Sequence, residues 1–201
     1  MQHDFILLDR SGSMSSLWTE ALSSINAYVA DLAKDGIDTG VTLACFDGHN
    51  GDCSFDILRD RIIPSTWKAV TNEDAEPRGM TPLNDATGKI VNLAKAGNYD
   101  KVAIIIMTDG HENASKELTV PQAKALLDEC RAKNWQVIFL GANFDNAAQA
   151  ASYGTLAAQT VQSSARNLTA TMRKAAGKRV DYASTGAAME YSDEEKEDFK
   201  K

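Results

Sequence analysis

Five side chains at three separate places in this 201-residue sequence carry oxygen atoms that could bind one ligand together. At the first place an apolar run ends in Asp9, and Ser11 and Ser13 follow at alternate positions. Thr81 stands at the second place, directly before a proline, and Asp109 stands at the third, directly after another apolar run. Because alternate side chains of an extended segment point the same way, the two serine hydroxyls could face one ligand.

These five side chains are chemically suited to a divalent cation, with Mg²⁺ first and Mn²⁺ or Ca²⁺ as alternatives. They offer hard oxygen atoms without sulfur or imidazole, which excludes a typical zinc site. Only Asp9 and Asp109 carry a formal negative charge, so a bound cation would keep a position open to an incoming carboxylate or phosphate. The plainer alternative is that each residue caps a helix. All three places together favour the cation site.

Alternating strand and helix patterns predict the elements that would position these side chains. Continuous apolar runs indicate buried strands, and apolar residues three or four apart indicate helices. Strands are predicted at residues 3–8, 40–47, 53–63, 101–110 and 135–143, with a short one near 156–160. Helices are predicted at residues 15–34, 82–96, 118–133, 145–152 and 163–177. Ser15 or Ser16 could cap the first helix, and Gly36 would end it.

This alternation predicts a doubly wound α/β fold with helices on both faces of a central sheet. The sheet would be mostly parallel, with one antiparallel edge strand supplied by a hairpin. Parallel strands bring their carboxyl ends to one rim, where such folds bind ligands, so Asp9, Thr81 and Asp109 should meet there. We expect a single domain over residues 1–190 and a charged tail over 191–201, either mobile or a short surface helix.

The three-part pattern resembles the metal-ion-dependent adhesion site of von Willebrand factor type A domains. Those domains combine a D-x-S-x-S motif with a separate threonine and a separate aspartate, which LLDRSGSM, GMTPLNDA and IIMTDG match. The resemblance covers roughly residues 4–142 and extends towards 177. It implies that Ser11 and Ser13 bind the cation directly. It also implies that Thr81, Asp9 and Asp109 bind it directly or through water.

The resemblance implies a metal-dependent protein-binding module and not an enzyme. An Asp or Glu of a protein partner would complete the shell of the cation, and no positioned base or nucleophile is visible in the sequence. The alternative is a metal-assisted phosphoryl hydrolase with Asp9 as its nucleophile. Against it, Ser11 lies two residues further on and is no acid that could protonate a leaving group. A purely structural cation is a third alternative.

Within the family, the chain is most similar to small cytosolic bacterial and phage members of the tellurium-resistance-associated type. The segment FLGANFDNAA contributes to this likeness. Cytosolic family members often work with an ATPase, a kinase or phosphatase, or a stress or defence complex. These are the classes of partner that the resemblance implies.

Charge and hydropathy argue against two other classes of partner. The formal net charge is −7 and the sequence pI is near 5.0, so nucleic acid is an unfavoured partner. Five basic residues form either a local basic patch or a solvated helix face: Arg166, Arg173, Lys174, Lys178 and Arg179. No apolar stretch approaches the ~18 residues of a membrane span, and no basic segment precedes the first apolar run. We therefore expect no membrane partner and a cytoplasmic location.

Three cysteines, Cys45, Cys53 and Cys130, are expected to be buried structural thiols in a reducing compartment. Cys45 and Cys53 could face each other across the predicted hairpin. The segment DGHNGD between them has acidic residues at a loop spacing, but it lacks the distal glutamate of a calcium loop. It is therefore predicted to be the hairpin turn.

Other polar residues close to the motif are expected to line the rim of the site. Arg10 is expected to be exposed, where it could steer an acidic partner. His111 and Glu112 follow Asp109 and are expected to be exposed loop residues. Three further residues follow the strand WQVIFL and are expected at the rim or in a cap: Asn143, Asp145 and Asn146.

Overall fold

The computed structural model describes residues 1–142 and 147–201 and contains a six-stranded sheet. The strands are β1 (Gln2–Asp9), β2 (Gly40–His49), β3 (Asp52–Ile62), β4 (Lys101–Thr108), β5 (Gln136–Ala142) and β6 (Thr160–Ser163). They lie in the order β3-β2-β1-β4-β5-β6. Every neighbouring pair is parallel except β2 and β3, which pair antiparallel at one edge. This confirms the predicted sheet.

Helices cover both faces of the sheet, as a doubly wound fold requires. They are α1 (Trp18–Lys34), α2 (Leu83–Ala96), α3 (Val120–Ala132), α4 (Ala147–Ser152), α5 (Leu168–Thr185) and α6 (Asp193–Lys200). Alternate residues of β1 point to opposite faces. Ile6 and Leu8 pack in the core beneath α1 and α5, whereas Phe5 and Leu7 pack in the core beneath α2 and α3.

The hairpin between β2 and β3 turns at Asn50 and Gly51, which both have positive φ angles of 53° and 86°. Two successive positive φ angles are typical of a type I′ turn, so the prediction of a hairpin turn at DGHNGD is confirmed. The register pairs Cys45 with Asp56 and Cys53 with Gly48. The expectation that the two cysteines face each other is therefore wrong, because their pairing positions along the hairpin differ. All three cysteines are free thiols.

Helix α1 starts later than predicted and has no serine cap. Residues Gly12–Ser16 form a turn of 3₁₀ helix, and α1 begins only at Trp18. Within this turn the Ser15 hydroxyl donates back to the carbonyl oxygen of Gly12 at 2.7 Å, so it does not reach the first amides of α1. The predicted end is confirmed, because Gly36 follows the helix with a φ of 66°.

The C-terminal elements are shifted along the chain relative to the prediction. β6 occupies Thr160–Ser163, which displaces the start of α5 to Leu168. The predicted end at Gly177 is wrong, because α5 continues through this glycine to Thr185. α5 ends at Gly186, whose φ of 80° is the left-handed conformation that commonly ends helices.

The charged C-terminal segment forms helix α6. Ser192 and Glu195 build a capping box at its start, and Phe199 near its end is buried with Tyr191 in the core beneath α5. The backbone amide of Ser164 donates to the carbonyl oxygen of Phe199 at 2.9 Å. Of the two predicted alternatives for this segment, the structure shows the short helix. The division into a domain over residues 1–190 and a tail stays a prediction.

Most of the basic residues near the C-terminus have acidic partners. Arg179 is fully buried and forms an ion pair with Asp4, which excludes it from any surface patch. Arg173 pairs with Asp31 at 2.5 Å. Lys174 and Lys178 of α5 both contact Glu195 of α6. Such pairing favours the solvated helix face over a free basic patch.

Across residues 1–142 and 147–201, no helix is at once long enough and apolar enough to cross a membrane.

Candidate metal centre

The loops after β1 and β4 lie side by side at the carboxyl rim of the sheet. These strands are adjacent and parallel, with Leu8 paired to Met107, so Asp9 at the end of β1 lies near Thr108 and Asp109. The segment before α2 reaches the same rim, because the Gly12 amide donates to the carbonyl oxygen of residue 79 at 3.1 Å. Three separate stretches of sequence therefore meet at one place.

Three of the predicted ligands contact one another directly. The hydroxyl oxygens of Ser11 and Ser13 are 3.0 Å apart, and the Ser13 hydroxyl donates to Oδ1 of Asp109 at 2.6 Å. Ser11 is buried and Ser13 is exposed, so this row of oxygens runs from the interior of the rim to solvent.

Gly110 shows where the other two predicted ligands lie. A Cβ placed on this glycine would lie 2.9 Å from Oγ1 of Thr81, 3.3 Å from Oγ of Ser13 and 3.6 Å from Oδ2 of Asp9. Because Gly110 has no side chain, a carboxylate and two hydroxyls can lie close to its backbone. Ser13 also contacts Ser11 and Asp109, so the five predicted side chains form one oxygen cluster beside Gly110.

Asp9 is the most buried of the five, with no exposed surface. Its Oδ1 accepts the Ser11 amide at 2.7 Å, and its Oδ2 accepts the hydroxyl of Thr108 at 2.6 Å. Burial raises the pKa of Asp9 to about 6, and the nearby Asp109 carboxylate adds to this, whereas the two hydrogen bonds act in the opposite direction. Burial also raises the pKa of Asp109. A buried and a half-buried carboxylate at one rim favour a positive charge beside them.

Thr108 is a site residue that sequence reasoning missed. Besides holding Asp9, its hydroxyl oxygen accepts the backbone amide of Gly110 at 3.0 Å. It therefore orients a predicted ligand and also fixes the loop that carries Asp109. Its position at the end of the apolar run in β4 is the sequence feature that could have identified it.

The loop after Asp109 is fastened to the start of α2. Asn113 accepts the Thr81 amide through its side chain at 2.8 Å and donates its own amide to the carbonyl oxygen of Thr81 at 3.1 Å. Asp85 accepts three successive backbone amides further along the same loop, at 2.8, 3.1 and 2.8 Å. Neither residue was identified from the sequence. Together they fix Thr81 relative to Asp109.

Glu112 is half-buried and has a structural role, so the expectation of an exposed residue is wrong for it. Its carboxylate accepts the backbone amides of Asn84 at 2.8 Å, Ala114 at 2.9 Å and Ser115 at 2.8 Å. These hydrogen bonds hold the carboxylate against the protein and turn it away from solvent. His111 is exposed, as expected.

Arg10 is buried, which contradicts the expectation that it faces a partner. Its Nε donates to Oδ1 of Asp47 at 2.7 Å, and its guanidinium also contacts Asp56. Asp47 is itself fully buried and accepts a second donor, Nε of Arg78, at 3.1 Å. The charge of Arg10 is thus balanced inside the protein. The other expected rim residues, Asn143, Asp145 and Asn146, lie outside the described residues.

The donor set fits a hard divalent cation and not a zinc site. In the described part of the chain, no group of three or more His, Cys, Asp or Glu side chains could hold a metal ion. Any cation at this rim therefore depends on hydroxyl oxygens as well as the carboxylates of Asp9 and Asp109. Oxygen ligands of this kind suit Mg²⁺, Mn²⁺ and Ca²⁺.

Comparison with protein families agrees with this architecture. The model of the von Willebrand factor type A domain matches residues 5–174. This chain belongs to that family. No curated protein sequence matches the chain significantly.

Solved structures show the same type A fold at low sequence identity. The vWF domain of the type V pili tip protein Mfa5 from Porphyromonas gingivalis has a TM-score of 0.71 and 12% identity, covering 93% of this chain and 97% of that one. The PilB minor pilin from Streptococcus sanguinis has a TM-score of 0.68 and 13% identity, covering 89% of this chain and 61% of that one.

A manganese-loaded structure also matches this type A domain. It is the TRAP protein of Plasmodium vivax, with a TM-score of 0.57 and 14% identity, covering 86% of this chain and 73% of that one. At such identities the structural matches establish the fold alone. Type A domains commonly mediate metal-dependent adhesion or protein interaction, which is the general role of the family.

Proposed function

We propose that this type A domain is a non-enzymatic, metal-dependent protein-binding module. Five side chains would hold the cation, which is Mg²⁺ in the first place and Mn²⁺ or Ca²⁺ as alternatives: Asp9, Ser11, Ser13, Thr81 and Asp109. The observation that carries the proposal is the oxygen cluster beside Gly110, where oxygens of Asp9, Ser13 and Thr81 approach one point. When bound, the cation would supply an electrophilic position for an Asp or Glu oxygen of a protein partner.

The proposed ligands differ in their exposure to solvent. Asp9 and Ser11 are buried and supply the inner oxygens, whereas Ser13 is exposed and marks the side that a partner could approach. Three of the five proposed ligands are neutral. The site would therefore repel a partner's carboxylate less than a site made only of carboxylates would. This arrangement favours capture of an acidic side chain.

The burial of Asp9 counts against the alternative of a phosphoryl hydrolase. A nucleophile must reach the reacting phosphorus. Both oxygens of Asp9 accept hydrogen bonds, one from the Ser11 amide and one from the Thr108 hydroxyl, and the residue has no exposed surface. The side chain is therefore better placed to hold a cation than to attack a substrate.

The biological setting stays a prediction that rests on the sequence. We expect a cytoplasmic protein of the tellurium-resistance-associated type. Its partner would be an ATPase, a kinase or phosphatase, or a member of a stress or defence complex. Nucleic acid and membrane are not expected partners.

Metal titration followed by affinity capture tests the proposal. Calorimetric titration with Mg²⁺ and Mn²⁺ should show binding to the wild type and none to Asp109→Ala. The control Asp128→Ala removes a carboxylate of α3 that pairs with Lys124 and Arg131, and it should bind as the wild type does. Host lysate is then passed over wild type in Mg²⁺, wild type in EDTA, and Asp109→Ala in Mg²⁺.

A protein retained only by wild type in Mg²⁺ would support the binding module. Equal retention in all three arms, or no metal binding by the wild type, would overturn it. Metal-dependent release of phosphate from a generic phosphate ester would favour the hydrolase. A metal-dependent rise in melting temperature without any retained protein would favour a structural cation.

A further inference from the structure

Gln149 of α4 joins the loop that carries Asp109 to a different part of the fold. Its Nε2 donates to the carbonyl oxygen of Gly110 at 3.0 Å. Its Oε1 accepts the backbone amide of Glu112 at 2.9 Å. Both polar ends of the side chain therefore bind peptide groups, one on each side of His111. Two opposed hydrogen bonds from one planar amide fix the position of that turn and its orientation.

The backbone held in this way borders the oxygen cluster. Gly110 is the residue whose Cβ position lies against Thr81 and Ser13, and Asp109 directly precedes it. The Gly110 amide is held from the other side, because it donates to Oγ1 of Thr108 at 3.0 Å. β4 therefore fixes the nitrogen side of Gly110, and α4 fixes its carbonyl side through Gln149.

The packing of α4 depends on other residues. Ala150 of α4 and Tyr153, which directly follows the helix, are fully buried, and the Tyr153 ring stacks on Phe139 of β5 with a centroid distance of 5.4 Å. Gln149 is only half-buried. Removing its amide leaves the apolar contacts of the helix intact, so an effect on the metal site can be separated from an effect on folding.

We propose that Gln149 is a positioning residue of the metal site, which holds the turn at residues 110–112 so that Asp109 stays beside Ser13. This inference rests on the proposed function. Groups that orient ligands without touching the metal typically change metal affinity by about 10–100-fold when they are removed. Gln149 contacts the backbone and not a ligand side chain, so we expect the lower end, a loss of about tenfold.

The test compares Gln149→Ala, which removes both hydrogen bonds, with Gln149→Met, which keeps the length of the side chain but not its polar ends. Gln122→Ala is a matched control. The Oε1 atom of Gln122 accepts hydrogen bonds from the backbone amide and the hydroxyl of Thr119 in the capping box of α3. Three quantities are measured. They are Mn²⁺ affinity by calorimetry, melting temperature in EDTA, and hydrogen exchange of the loop after β4 in EDTA.

Both Gln149 variants should bind Mn²⁺ about tenfold more weakly, with faster exchange at the Glu112 amide and a nearly unchanged melting temperature. Gln122→Ala should keep wild-type affinity. Unchanged affinity in both Gln149 variants would overturn the inference while leaving the proposed function intact. A wild type that binds no metal would overturn the proposed function, and the exchange data would then decide whether Gln149 still holds the loop. Wild-type exchange rates in the variants would overturn the inference in that case as well.

Discussion

The Ser13 hydroxyl donates to Oδ1 of Asp109 at 2.6 Å, which joins two residues 96 positions apart in the chain. The contact exists because β1 and β4 are adjacent parallel strands, and each residue lies in the loop after its strand. Both side chains belong to the proposed set of metal ligands. Two of the five proposed ligands are therefore in direct contact. A substitution of one residue also changes the surroundings of the other.

Ser13→Ala should weaken metal binding without loss of the fold. The substitution removes one proposed ligand oxygen and the hydrogen-bond partner of Asp109, whereas Ser13 is exposed and contributes little to packing. We expect Mn²⁺ affinity to fall by at least about tenfold in a calorimetric titration, since a lost ligand exceeds the effect of a lost supporting group. Ser16→Ala, at an exposed serine of the same turn, is the control. Equal affinities of Ser13→Ala and the wild type would remove Ser13 from the ligand set.

Gly110→Ala tests the oxygen cluster itself. The new methyl group would lie 2.9 Å from Oγ1 of Thr81 and 3.3 Å from Oγ of Ser13, which is closer than normal packing allows. The ligands must move apart, so metal binding should be lost and the melting temperature should fall modestly. Gly177→Ala is the matched control, because its methyl group meets no atom within 4 Å in α5. That variant should keep its metal affinity and gain about 0.5–1 kcal/mol of stability. Wild-type metal affinity in Gly110→Ala would place the site elsewhere.

The place where the five side chains meet could be predicted from the sequence because it depends on topology. Apolar runs that end in Asp9 and before Asp109 indicate neighbouring parallel strands, and parallel strands place their following loops at one rim. The type of each ligand atom then follows from the residue itself. Local patterns therefore sufficed to predict the rim and the five side chains that meet there.

The supporting contacts could not be predicted, because they depend on pairs of residues that only the tertiary structure brings together. Arg10 looks exposed in a loop, but the hairpin of β2 and β3 places Asp47 and Asp56 around its guanidinium. Glu112 looks like a solvent-facing charge, yet its partners are amides of α2 and of its own loop. Neither the register of the hairpin nor the path of the loop is encoded in a short motif.

Substituting Arg10 tests whether it stabilises the fold. Arg10→Met keeps much of the apolar stem but removes the charge, which leaves the buried Asp47 with Arg78 as its remaining cationic partner. Removing one partner of a buried ion pair typically costs about 3–5 kcal/mol. Because Arg78 still contacts Asp47, we expect the free energy of unfolding in urea to fall by about 3 kcal/mol, the lower end of this range.

The control for this substitution is Arg61→Met. The Arg61 side chain is 70% exposed and pairs with its neighbour Asp60, so its loss should change the free energy of unfolding by less than about 1 kcal/mol. If the two variants were equally stable, Arg10 would have no special structural role. Its contribution to partner capture would then have to be measured directly.

His3 should make the stability of the protein depend on pH. It is buried at the start of β1, with Nε2 at 2.9 Å from Oγ1 of Thr42. Burial lowers the pKa of His3 to about 4. The Asp60 carboxylate opposes this change, and the guanidinium groups of Arg61 and Arg179 add to it. The neutral imidazole is therefore the form that the folded protein favours.

The direction of the pH effect follows from proton binding in the two states. The unfolded chain binds a proton at His3 below about pH 6.5, whereas the folded protein binds it only near pH 4, so protonation favours unfolding within this window. The stabilising contribution is complete above pH 6.5 and is lost as the pH falls towards 4. His3→Gln keeps a polar group for Thr42 and cannot titrate. In urea unfolding from pH 7 to pH 4, the stability of the wild type relative to His3→Gln should fall steadily. A difference that does not change with pH would show that His3 has the same pKa in the folded and unfolded chains.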